Sequence, residues 1–448
     1  MSSTRIRQAT PRRQPRTALA PSLQHGRALP FLAATTVLAT VAVGLLLQAS
    51  GTDLGTPLPP FVLAWSPDVA PEAAIAVLVA AAAVVLAPAL LTRPRHPAVF
   101  AAAVAGLALA LVLSIAAAHD GPGGWYQVFD YGRSFEAKNE YLPALPALGY
   151  GVRWFLDHFA ELAPALPVHA AGHPPGLLLV IHALGITTAA GLAALCIAAT
   201  AALAPLTYLA ARGRLSEARA RAAALLVAFS PAGAIIGVSS ADAIYAALGL
   251  AAAIGLLAGG RAPRLAGAAT LALASFLSWA LVAVGVFAVI VDSRARGARR
   301  ALEVGALCAA ALVAFYACVY AATGFDPIGA IRATHMVYDA SLASTRPYAF
   351  WLFGSPVAFA VAIGAPISLY AVRALAGDDA TALALAAIVV AASVLGLTKG
   401  ETERIWLFMM PLACVAAATA VPPHRLRAVL LALAVQALAT EVLFTSVW

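Results

Sequence analysis

Long apolar runs dominate this chain, and their lengths are those of membrane crossings. Stretches at 31–50, 73–91, 98–118, 188–211, 222–238, 242–259, 301–321, 348–372, 380–397, 405–421 and 428–446 are almost free of charge. Each holds about 18 to 25 residues, enough for a helix to cross the hydrocarbon of a bilayer. Two regions depart from the pattern. Residues 174–187 are apolar but too short to cross, which predicts a half-helix leading into the next span. Residues 265–292 are long for one helix, yet Arg261 and Arg264 precede them and Arg294, Arg296, Arg299 and Arg300 follow. One crossing would put one of these basic clusters outside the cell. Two short helices with a tip near Ser275 to Trp279 keep both inside, as the positive-inside rule favours.

With that hairpin, 21 of the 28 Arg and Lys residues fall on the cytoplasmic side. Arg133, Lys138, Arg153, Arg332, Arg346, Lys399 and Arg404 are left outside, while 15 of the 20 carboxylates lie at or near the outer face. The N-terminus is then cytoplasmic, and the expected location is the cell membrane. The predicted fold class is all-α: a polytopic transmembrane helical bundle with a long outer loop, 119–173, carrying interfacial helices. The expected organisation is a basic disordered tail (1–30), two N-terminal spans (31–97) and a main module (98–448).

Composition agrees. The 448 residues are 62% hydrophobic and 11% charged, against roughly 25% charged in soluble domains. The first apolar run is span-length, not the short core of a cleaved signal. Arg5, Arg7, Arg12, Arg13 and Arg16 before it suit anionic lipid rather than nucleic acid. Cys196, Cys308, Cys318 and Cys414 lie singly in apolar stretches, without metal spacing, and read as small buried hydrophobes.

The polar residues that could do chemistry gather on the outer side. His169-Ala-Ala-Gly-His173-Pro-Pro-Gly176 ends in a proline pair that suits a helix start. His169 and His173 have no third ligand placed beside them, so no metal site is assigned to them. Asp120, Asp130 and Glu140 are carboxylates of the long loop, any of which suits a general base if shielded from bulk water. Asp242 sits at the mouth of a span pair, after Ser239 and Ser240. Lys399-Gly-Glu401-Thr-Glu403-Arg404 is a tight charged link between two spans. Its Lys and Arg, with Arg346 from the neighbouring outer loop, are suited to a phosphate.

Glu140-Tyr-Leu142, His173-Pro-Pro-Gly176, Ser240-Ala-Asp242 and Glu401-Thr-Glu-Arg-Ile-Trp406 together resemble the GT-C glycosyltransferase superfamily. The style is that of polyprenyl-phosphate-sugar mannosyltransferases and aminoarabinose transferases, more narrowly of a branch of actinobacterial integral membrane proteins. The resemblance covers roughly residues 98 to 421. In that superfamily the long outer loop follows the first span, whereas here it follows the third. The resemblance implies inverting transfer of a sugar from a polyprenyl-phosphate carrier to an envelope glycan, lipid or protein at the outer face. It implies Glu140 as the base, with Asp120 and Asp130 behind it, and Asp242 on the acceptor side. Lys399, Arg404 and Arg346 would hold the leaving phosphate, with Glu401 orienting them and His173 and His169 nearby. No cofactor is expected, and metal dependence varies across the superfamily. A transporter or flippase for a lipid-linked or anionic substrate is the rival reading, one that predicts repeated halves and helices interrupted near the midplane.

Overall fold

The computed structural model describes residues 23–93, 96–396 and 398–446, and it is an all-α, polytopic helical bundle. Three long helices come first: α1 (Leu23–Ala49), α2 (Ala73–Thr92) and α3 (Pro97–Ile115). Part of the expected tail, 1–22, lies outside the described residues; from Leu23 onward the chain is already helix. The long loop then runs through short helical turns to α4 (Gly176–Ala183), the half-helix read from the sequence, and α5 (Ala189–Arg212). Next come α6 (Glu217–Ala228), α7 (Pro231–Ile235) and α8 (Asp242–Leu256).

The two-helix reading of 265–292 agrees with the structure. α9 (Arg261–Ser275) and α10 (Val282–Arg296) are separate helices joined across Phe276–Leu281. Their tip docks on the proline-rich turn: Gly176 donates its N–H to the Phe276 carbonyl at 2.9 Å. A Cβ on Gly176 would lie 2.3 Å from that oxygen, so only glycine fits. Helices α8 and α9 approach as closely, a Cβ on Gly255 meeting the Gly267 Cα at 2.5 Å. Small residues at such contacts let membrane helices pack backbone to backbone.

The chain continues through α11 (Ala298–Thr323) and α12 (Pro327–Asp339) to α13 (Tyr348–Ala362) and α14 (Ala365–Ala376). The expected single span 348–372 is therefore two helices, meeting at 113°. Gly364, with φ +112°, cannot continue a right-handed helix, and Pro366 suits the first turn of the next. The freed backbone groups are satisfied by neighbours. Gln436 accepts from the Ala365 N–H at 2.9 Å and donates to the Val361 carbonyl at 2.7 Å, while Ser230 donates to the Ile363 carbonyl at 2.8 Å. Irregular backbone at depth is tolerated where protein supplies such partners. The chain ends in α15 (Ala380–Val394), the turn α16 (Thr402–Ile405), α17 (Met410–Ala420) and α18 (Leu426–Leu443).

Among the described residues six helices are long and apolar enough to cross a membrane, and the bent α13–α14 pair makes a seventh candidate. The helices α6 and α17 are shorter and buried along nearly all sides; α17 is apolar all round, as such a helix should be, while α6 buries Arg221, which is paired with Glu217. A further difference from expectation is a helix break. The stretch 222–238 divides at Ser230-Pro231, and the interfacial helices of the long outer loop include two short ones, Val152–Asp157 and Phe159–Leu162, with Phe155 and Phe159 buried but Val152 and Trp154 partly exposed.

The bundle's two ends differ in charge. At one, buried Asp292 faces Arg296 at 3.0 Å, Arg300 at 3.6 Å and Arg214 at 4.0 Å, and Arg294 pairs with Asp378. At the other, the carboxylate-bearing segments meet. There a short antiparallel ladder pairs β1 (Leu63–Trp65) with β2 (Phe444–Ser446).

Cysteine scanning tests the orientation, in a background with the four native cysteines replaced. A cysteine at Phe135 (76% exposed) is expected to react with a membrane-impermeant maleimide on intact cells. One at Arg299, whose side chain is 96% exposed, is expected to react only after permeabilisation. The opposite pattern would invert the topology.

Candidate functional site: a buried charge network at one end of the bundle

The segment before α8 builds the first piece. Ser240 accepts the Asp242 N–H at 3.1 Å and donates its hydroxyl to Asp242 Oδ2 at 2.7 Å. This places a carboxylate in the first turn of α8, where the helix dipole favours negative charge. The link after α15 builds the second. Gly396, Gly400 and Glu401 all have positive φ, and for Glu401 this is backbone strain held by its surroundings. The turn aims Glu401 at two arginines. Its Oε1 accepts from Arg346 at 3.2 Å and its Oε2 from Arg404 at 3.1 Å. Arg404 also donates to Asp242 Oδ2 at 3.1 Å. A chain of charge thus runs Arg346–Glu401–Arg404–Asp242, joining elements far apart in sequence.

The long loop adds the third piece. His169 Nε2 lies 3.1 Å from Glu136 Oε1 and 3.7 Å from Glu140 Oε1. Its backbone N–H donates to the Asn139 carbonyl at 2.9 Å. Glu140 is 2% exposed, and its Oε2 has no hydrogen-bond partner. Tyr141 and Tyr245 share a hydroxyl–hydroxyl bond, and the His173 ring packs 5.1 Å from Tyr245.

Electrostatics sort these groups. Burial raises Glu140 above the usual carboxylate range, only partly opposed by His169 and Arg404. Burial also pushes Glu401 up, but the guanidiniums of Arg404 and Arg346 outweigh it, so Glu401 ends below its ordinary value. Burial holds His173 down to about 3, aided by His169 and Arg404, so its imidazole is neutral at physiological pH. Arg404 is disfavoured by burial but secured as a cation by Asp242, Glu401 and Glu140.

Of the residues expected from sequence, Glu140, Asp242, His169, His173, Glu401, Arg404 and Arg346 converge. Asp120, Asp130 and Lys399 are held elsewhere. Asp120 pairs with His119 at 3.1 Å, Asp130 with Arg133 at 3.4 Å, and Lys399 donates to the Ser344 carbonyl. Lys399 also lies over the Tyr338 ring. Sequence reasoning missed Glu136, which lies four residues before Glu140 in the same loop, and Tyr245, three after Asp242. It also missed the anchoring of Glu403, which accepts the Val62 N–H at 3.0 Å from the far side of the sequence. Among the described residues no group of three or more His, Cys, Asp or Glu could hold a metal ion. The arginines are engaged by carboxylates in this conformation, so a phosphate would have to exchange with Glu401 or Asp242 to use them.

Two outcomes are expected. Arg404→Ala leaves Asp242 buried without its cation and Glu401 with Arg346 alone, and should cost about 3–5 kcal/mol, read as a lower melting temperature in detergent. Glu403 has its pKa pushed up to about 7 by burial. Between its ordinary value and 7 the folded state holds a proton the unfolded chain has lost. Its stability contribution is therefore present at low pH and lost as pH rises through 7. The melting temperature should fall from pH 5 to 8, and Glu403→Gln should flatten that slope.

No protein-family model, curated protein or solved structure matches this chain, so the site's chemistry rests on its own geometry.

Proposed function

We propose that the protein is a GT-C-like membrane glycosyltransferase, moving a sugar from a polyprenyl-phosphate carrier to an envelope acceptor with inversion at the anomeric carbon. The observation that carries this reading is Glu140: a buried, raised-pKa carboxylate with one unpartnered oxygen, next to His169 and in one charge network with Asp242, Glu401, Arg404 and Arg346. A carboxylate made more basic by burial suits general-base work. Glu140 takes the proton of an acceptor hydroxyl as its oxygen attacks the anomeric carbon. The bond from that carbon to the phosphate oxygen breaks, and the electron pair leaves with the lipid phosphate. Arg346, whose buried Nε has no hydrogen-bond partner, and Arg404 stabilise the developing charge. Neutral His173 is suited to donate or accept a hydrogen bond without adding charge. Because Glu140 is covered, the loop 119–173 must part for substrates to reach it, a lid-like step.

A transporter is the second reading, favoured by the helix break at Gly364, a feature of transport proteins. The backbone groups at that break are hydrogen-bonded to Gln436 and Ser230, which leaves less for a cargo to bind there.

The test incubates membranes carrying the protein, or Glu140→Gln, with radiolabelled polyprenyl-phosphate sugars and native envelope acceptors. Label transfer should occur and fall by about 10²-fold or more in the variant. Transfer unchanged in Glu140→Gln removes that residue as the base. No transfer from any donor by folded protein, with uptake of the lipid-linked sugar into vesicles, establishes the transporter.

A further inference from the structure

A cleft of about 250 Å³ is lined by groups other than those of the charge network. Its floor is the end of α3, where His119 bridges two acceptors: its Nε2 lies 2.8 Å from the Ser66 carbonyl and its Nδ1 3.1 Å from Asp120 Oδ1. Glu441, near the end of α18, also lines the cleft; among the described residues it has no hydrogen bond and no ion pair, and it lies within electrostatic reach of His119 and Asp120. An ionisable side chain near the end of an apolar helix that lines a cleft is by default a candidate functional site. Gln127, Ser134 and Arg133 from the long loop complete the polar wall, and Phe444 of β2 supplies a ring.

The mixture selects a class of ligand. Two carboxylates alone would suit a cation, but Asp120 already faces the His119 ring at 3.1 Å, and the guanidinium of Arg133, paired with Asp130, lines the same cleft. The described residues hold no group of three or more His, Cys, Asp or Glu able to bind a metal. Carboxylates, an amide and hydroxyls around an aromatic ring are what a neutral molecule with many hydroxyls and an apolar C–H face requires. Ser239 lines the cleft, and three residues later Asp242 is bonded to Arg404. The ligand would therefore lie one short turn of chain from the network.

We propose that this cleft binds a saccharide through Asp120, Glu441 and Phe444, and that it is the acceptor side of the transfer reaction. The acceptor role rests on the glycosyltransferase reading; the capacity to bind a saccharide does not.

Trp65 packs edge-to-face on Phe444, with ring centroids 5.3 Å apart, and so reports on the cleft. The full chain in nanodiscs is titrated with methyl hexosides and methyl pentosides, following tryptophan fluorescence. Trp65→Phe identifies the responding residue. A saturable response is expected, lost in Trp65→Phe and weakened at least tenfold in Glu441→Gln and in Asp120→Asn. Asp120 is half-exposed, so its variant keeps the test readable if Glu441→Gln fails to fold. Methylammonium chloride at equal concentration should give no response. Absence of saccharide binding, binding indifferent to both substitutions, or an equal response to methylammonium overturns the proposal. Glu140→Gln separates the two claims. Binding kept and transfer lost supports both, whereas binding in a protein that transfers nothing retains the saccharide site and rejects its acceptor role.

Discussion

A guanidinium cut off from water is tolerable only where carboxylates surround it, and Arg404 organises one end of the bundle on that condition. Its two anchors come from distant elements, Asp242 at the start of α8 and Glu401 in the link after α15. Satisfying them fixes how these elements meet, and Arg346 is drawn in behind Glu401. Breaking such a network from one side leaves uncompensated charge, which costs far more than the intact pairs contribute over an apolar alternative. The left-handed backbone at Glu401 belongs to the same constraint: strain is held there so that the carboxylate reaches both arginines.

The rest of the fold obeys the solvent. In a bilayer every interrupted helix must find partners for its freed backbone groups. At Gly364 they are side chains of Gln436 and Ser230; at Gly176 the partner is the carbonyl of the Phe276 tip. The same close approach explains why glycine and alanine crowd the helix contacts, while large apolar side chains such as Phe31, Leu302 and Val313 face outward.

Much of this was legible in the sequence, because hydrophobic length and arginine placement are written locally. Six of the expected spans, the α9–α10 hairpin and the half-helix at α4 follow from counting residues between charges, whereas the spans expected at 222–238, 242–259, 380–397 and 405–421 are shorter or broken helices. The bend at Gly364 was missed because the apolar run continues across it; only backbone conformation, not hydropathy, changes there. At the site, short blocks such as Ser240-Ala-Asp242 and the link around Glu401 hold residues that the fold brings together. Their pairing across the fold was not legible, because no local pattern says that Arg404 meets Asp242 or that Val62 caps Glu403. Asp120 and Lys399 read much like Glu140 and Arg404 as charges in outer segments. What separates them is burial, which belongs to the tertiary structure.

The ladder between β1 and β2 joins Leu63 to Ser446, segments synthesised near the beginning and at the very end of the described chain. Both strands contribute to the wall of the cleft at Asp120 and Glu441. During synthesis, the early helices enter the membrane with that wall unfinished, and no arrangement of the intervening helices supplies the missing edge. The cleft therefore comes into being only after α18 is in place, which ties its appearance to that helix rather than to the folding of any earlier part.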